Sequence, residues 1–81
     1  QIKIINNFIE DLKKLNDWSK EKINVFIDKF IAKEKIKFKQ LGVPLRLILT
    51  GKSDAPSIKD ILFILKKDNV KNRIKKYLNN L

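Results

Sequence analysis

Few residues in this chain can do covalent chemistry, and their types narrow its function at once. It has no histidine and no cysteine. That removes the commonest general base and metal ligand, thiolate nucleophiles and disulfides together. Phosphate-loop, dinucleotide and zinc motifs are absent as well. The carboxylates stand mostly among lysines, as Glu10-Asp11 and Glu34 do, and read as solvated surface charge. What remains is recognition chemistry. It concentrates in Pro44-Leu45-Arg46-Leu47-Ile48-Leu49-Thr50-Gly51, followed by Pro56 and Ile58. The Arg46 guanidinium can hydrogen-bond two acceptors in one plane or stack on a base, which suits unpaired RNA. A surface ion pair with Asp54 or Asp60 is the plainer alternative. The loop from Gly51 to Ile58 ends at a helix start, where free backbone N–H groups attract phosphate or base acceptors. Pro56 and Ile58 offer an apolar surface for a splayed base; alternatively, Pro56 only starts a helix and Ile58 enters the core.

The elements that must position these residues read as five helices. The first, Gln1 to Leu15, carries Ile5, Phe8, Ile9, Leu12 and Leu15 on one stripe. The second carries Ile23, Phe26, Ile27, Phe30 and Ile31 at helical spacing, with Asp17 or Ser19 able to cap it. The third is expected to open at Pro44, since proline suits the first helical position. It places Leu45, Ile48 and Leu49 on one face and ends at Gly51 in the left-handed conformation. Arg46 then lies about 100° off that face, toward solvent or a ligand. The fourth holds Ile58, Ile61, Leu62 and Leu65 behind Pro56-Ser57. The fifth holds Val70, Ile74, Tyr77, Leu78 and Leu81, with Asp68 as its cap. Ile36 to Lys39 and Leu45 to Leu47 also alternate like strands, with Gly42 as a turn between them. Pro44 argues against a paired strand, and helix is the better reading. Trp18 reads as a core anchor before it reads as a stacking platform.

Eighty-one residues make one small domain. No apolar run approaches the length of a membrane span. With 19 basic and 9 acidic residues the net charge is +10. Such a balance favours a polyanionic partner, although a lysine-rich composition alone also puts solvating charge on helix faces. Residues 43–81 hold 9 basic and 3 acidic side chains against 10 and 6 in residues 1–42, so the half with the motif is the more basic.

Pro44, Leu45, Arg46, Leu49, Thr50, Gly51 and Pro56 resemble, position by position, a signature near the C-terminus of bacterial-type glutamyl-tRNA synthetases. The likeness extends from Trp18 to Arg73. It implies an all-α domain of about five short helices over residues 1–81, the C-terminal anticodon-binding fragment of a longer enzyme. It further implies that Arg46 reads anticodon bases and that the loop around Pro56 contacts the first two anticodon letters, giving Arg46, Val43, Lys52, Ala55, Pro56 and Ile58 as RNA-binding residues. Val43 and Ala55 stand where the family often has a polar amide and Ser or Thr, so backbone groups are left to make contacts there. Lys66 stands where the family usually has glycine, at a cost on the order of 1 kcal/mol. Lys67, Lys71 and Lys75 follow it. Arg73 matches a family arginine and reads as structural, paired with a carboxylate, or else as an RNA contact. The implied partner is the anticodon stem-loop of a tRNA, bound by a monomer in the cytoplasm, with neither DNA nor membrane involved. No catalytic residue, cofactor or metal is expected in this fragment; ATP and Mg²⁺ belong to the parent's catalytic domain. Two alternatives come from other classes. The third and fourth helices could form a helix-turn-helix on DNA with Lys59 facing a groove, or the chain could be a basic protein-interaction domain.

Overall fold

The computed structural model describes residues 2–52 and 56–81. Five helices follow one another: α1 (Ile2–Leu12), α2 (Lys20–Glu34), α3 (Phe38–Thr50), α4 (Ile58–Leu65) and α5 (Lys67–Asn79), with no strand among the described residues. The expected stripes point inward. Ile5, Phe8, Ile9 and Leu12 of α1 are buried, as are Ile23, Ile27 and Phe30 of α2. Phe8 packs edge-on against Phe30 at 5.3 Å between ring centroids and tilted against Phe26 at 5.4 Å, the offset geometries that aromatic quadrupoles prefer. Ser19 is the cap of α2, its hydroxyl accepting the Lys22 N–H at 3.2 Å. Trp18 leans on the core and donates its indole N–H to the Leu62 carbonyl at 2.9 Å, so it anchors α4 to the entry of α2.

The third helix departs most from the sequence reading. It begins at Phe38, six residues before Pro44, and Pro44 lies inside it. The start is set by Gln40, whose side-chain oxygen accepts the Lys37 N–H at 2.7 Å, and by Leu41, which is fully buried. Proline at an interior position removes one helical hydrogen bond, at about 3 kcal/mol. Burying Leu41, which precedes Pro44, yields about 1.5–3 kcal/mol, and Ile36 and Phe38 pack partly buried against the same core, so the earlier start prevails. The same contacts exclude the strand alternative for Ile36 to Lys39.

Smaller departures concern the helix ends. The first helix stops at Leu12, and a tight Leu15 N–H to Leu12 carbonyl bond of 3.0 Å turns the chain there. Asp68 is the second residue of α5 and not its cap. There its carboxylate complements the positive end of the helix. Tyr77 and Leu81 are exposed, so the α5 stripe is narrower than its spacing suggests. Only Lys66 separates α4 from α5, with φ 71° and ψ 158°, a region that is essentially glycine's.

Candidate nucleic-acid interface

The signature sits on the second half of α3, and most of it is structural. Leu45 and Leu49 are buried and fix the rotation of the helix. Gly51 takes φ 78° and donates its N–H to the Leu47 carbonyl at 2.9 Å, ending α3 where the sequence places the end. The Thr50 hydroxyl donates to the Arg46 carbonyl at 2.7 Å and accepts the Lys52 N–H at 3.1 Å. That clamps the last helical turn to the start of the loop. Arg73, from α5, donates to the Leu49 carbonyl at 2.5 Å. It therefore serves as a cap on the negative end of α3, with a backbone carbonyl in place of the expected carboxylate.

With the helix so fixed, Val43, Arg46 and Thr50 fall at i, i+3 and i+7 and share one flank of α3. Val43 is exposed and Arg46 half-buried. The Arg46 side chain does not project straight outward. It runs back toward the helix N-terminus, as long helical side chains do, and its Nη2 lies 3.5 Å from the point where a Cβ would stand on Gly42. The Phe38 ring closes on the same point at 3.4 Å.

The remaining expected residues fall in different settings. Lys52 and Pro56 are exposed on either side of the loop, whereas Ala55 and Asp54 lie outside the described residues. Ile58, expected to offer a surface to a base, is fully buried; as the first residue of α4 it meets the core. Next to Pro56 the apolar surface is instead that of Phe63 and Ile64, which with Lys20 and Asp60 line a shallow cleft of about 340 Å³. Ile64 is 70% exposed, and the Lys20 ammonium lies 5.2 Å from the centre of the Phe63 ring. Sequence reasoning missed these two. The unbroken apolar run from Ile61 to Leu65, wider than one helix stripe, was the signal.

Several cations are engaged within the fold. Lys59 pairs with Asp28 of α2 at 3.1 Å and sits 5.8 Å from the Phe38 ring centre, so it faces neighbouring helices where the helix-turn-helix alternative had it facing a groove. Lys67 donates to the carbonyls of Lys13 and Leu15 and ties the end of α1 to α5. Among the described residues no group of His, Cys, Asp or Glu could hold a metal ion, and no helix is long and apolar enough to cross a membrane.

The chain is 41% identical over 78 residues to a glutamate–tRNA ligase 1 of Fervidobacterium nodosum, covering 96% of this chain and 17% of that protein. It is 40% identical over 67 residues to a glutamate–tRNA ligase 1 of Syntrophus aciditrophicus, covering 83% and 14%. It is 35% identical over 71 residues to a glutamate–tRNA ligase of Chromobacterium violaceum, covering 88% and 15%. The chain thus spans less than a fifth of the length of these relatives. No solved structure matches it. The family model described as an anticodon binding domain matches residues 1–78, and the chain belongs to that family.

Proposed function

We propose that this chain is the anticodon-binding part of a glutamate–tRNA ligase and that it helps select glutamate tRNA for aminoacylation. Arg46 contacts an unpaired anticodon base. The exposed side chain of Val43 and the ring of Pro56 bound the same space, the backbone of Val43 being taken up inside α3, and Lys52 meets a phosphate. Phe63 and Ile64 supply the apolar wall beside Pro56 that was expected of Ile58. The observation that carries the reading is the flank of Val43, Arg46 and Thr50, held rigid by two core leucines and the Gly51 turn, in a chain of this family. ATP and Mg²⁺ would be held by a catalytic domain outside residues 1–81, and the ligase would act as a monomer in the cytoplasm. The helix-turn-helix reading fits less well. Residues 51–57 separate α3 from α4, longer than the three- or four-residue turn of that motif, and Lys59 is tied to Asp28.

Titrating this chain with glutamate tRNA and with the same tRNA carrying a changed anticodon tests the proposal. Wild type should prefer the unaltered tRNA. Arg46→Ala should lose about 1–3 kcal/mol of binding, discriminate less between the two, and melt at nearly the wild-type temperature. Equal discrimination by mutant and wild type would reduce Arg46 to a structural or positioning residue. Tighter binding to duplex DNA or anionic vesicles than to tRNA at the same salt would favour one of the other two classes.

A further inference from the structure

Glycine in mid-helix calls for a reason, because it is a poor helix former. Backbone conformation does not supply one for Gly42. The positive φ angles among the described residues belong to Lys35, Gly51 and Lys66. Close packing of a neighbouring helix does not supply one either. The three heavy atoms nearest to its missing Cβ come from Phe38, one turn earlier, and Arg46, one turn later. Gly42 is nonetheless buried, and what covers it includes the Arg46 guanidinium. We propose that Gly42 is a positioning residue: the absence of any side-chain atom beyond a Cβ leaves open the seat between Phe38 and Arg46 in which the guanidinium lies, and this holds the base-reading end of Arg46 in register with the loop. The inference rests on the reading of Arg46 given above and adds to it a second residue that sets specificity without touching RNA.

The distances make the idea quantitative. A Cβ would meet Phe38 at 3.4 Å and Arg46 Nη2 at 3.5 Å, which is ordinary van der Waals contact, so alanine fits beside the seated guanidinium. Leucine adds three heavy atoms beyond the Cβ and fills the seat. Seating also restricts the rotamers of Arg46 before RNA arrives, so less freedom is lost on binding.

The test uses this chain as Gly42→Ala, Gly42→Leu, Arg46→Ala and the Gly42→Leu/Arg46→Ala double variant. Circular dichroism establishes folding, and binding is compared between glutamate tRNA and an anticodon-altered tRNA. Gly42→Ala should keep the wild-type discrimination ratio within twofold. Gly42→Leu should lose about tenfold of it, and the double variant should discriminate no less than Arg46→Ala alone, because both changes act through one side chain. A readout independent of RNA follows from there being just two arginines, Arg46 and Arg73. A guanidine-reactive dicarbonyl, with the adducts located by mass spectrometry, should modify Arg46 several-fold faster in Gly42→Leu than in wild type. If Gly42→Leu does not fold, Gly42→Ser, which adds one atom beyond the Cβ, is assayed the same way and should shift both readouts in the same direction. A folded Gly42→Leu or Gly42→Ser chain with wild-type discrimination and wild-type Arg46 reactivity overturns the inference and leaves the anticodon reading intact. Loss of the reading itself looks different: the wild-type chain then shows no anticodon dependence, or Arg46→Ala discriminates as well as wild type.

Discussion

Arg46 and Lys59 show how little a basic side chain says by itself. Both are cations on the face that closes over Phe38, and by type either could meet RNA. Geometry separates them. Lys59 is 28% exposed and paired across to Asp28 at 3.1 Å, so its charge is already answered within the fold. Arg46 belongs to the flank that leads into the loop. Truncating Lys59 should therefore act on stability before it acts on binding. A partly exposed pair of this kind contributes up to about 1 kcal/mol. Lys59→Ala should lower the melting temperature by a few degrees, with tRNA affinity at physiological salt unchanged within twofold. An affinity loss with a flattened salt dependence would mean that the pair opens and Lys59 reaches a phosphate after all. Ile58 teaches the converse point. An apolar residue beside a loop is as ready to enter the core as to face a ligand, and only the orientation of α4 decides between them.

The two junctions of α4 give opposite expectations for the same chemistry of positive φ. Gly51 holds φ 78° at no steric cost, with open space around its Cβ position. Gly51→Val should destabilise the fold by roughly 1–2 kcal/mol because a β-branched residue resists that conformation. A thermal melt unchanged by the substitution would place the end of α3 elsewhere. Lys66 holds φ 71° and ψ 158° without being glycine, so Lys66→Gly should stabilise the fold by about 1 kcal/mol or more through relief of backbone strain. A lower melting temperature would mean that the lysine stem packs well enough to outweigh the strain. These junctions also mark what could be seen from residues alone. The stop at Gly51, the cap at Ser19 and the start of α4 follow local rules that nothing in the fold opposes. The start of α3 does not, because the rule that puts proline first in a helix was outweighed by burial of Leu41, a contact between elements far apart in sequence. The positions of Phe63 and Ile64 beside Pro56 were hidden for the same reason, since an apolar run does not say which of its members the neighbouring helices leave uncovered. Gly42 offered a turn by type; its place against Arg46 depends on α3 being continuous through it.

On the proposed function the net charge of +10 sets how strongly the chain would bind RNA, but not all of that charge is available. Lys13 and Lys33 pair with Glu10 and Asp11, Lys59 pairs with Asp28, and Lys67 caps the end of α1. Exposed lysines remain on several faces, among them Lys52 beside the loop and Lys75 and Lys76 on α5, in the half of the chain that carries the Arg46 flank. One small domain of this shape reaches about three to five phosphates, and each releases somewhat less than one counterion on contact. Affinity should then fall by roughly one and a half to two and a half powers of ten between about 50 and 200 mM salt, and be no tighter than about micromolar at physiological salt. A base contact by Arg46, as proposed, would depend much less on salt than phosphate contacts do. Raising the salt should therefore weaken binding to cognate and anticodon-altered tRNA in parallel, with the ratio between them preserved while both affinities drop. Titrations at four or five salt concentrations with the two tRNAs measure the slope and the ratio together. A slope near zero would remove the phosphate contacts from the model. A ratio that collapses toward one as salt rises would mean that discrimination comes from where the backbone phosphates fall and not from bases read on the Arg46 flank.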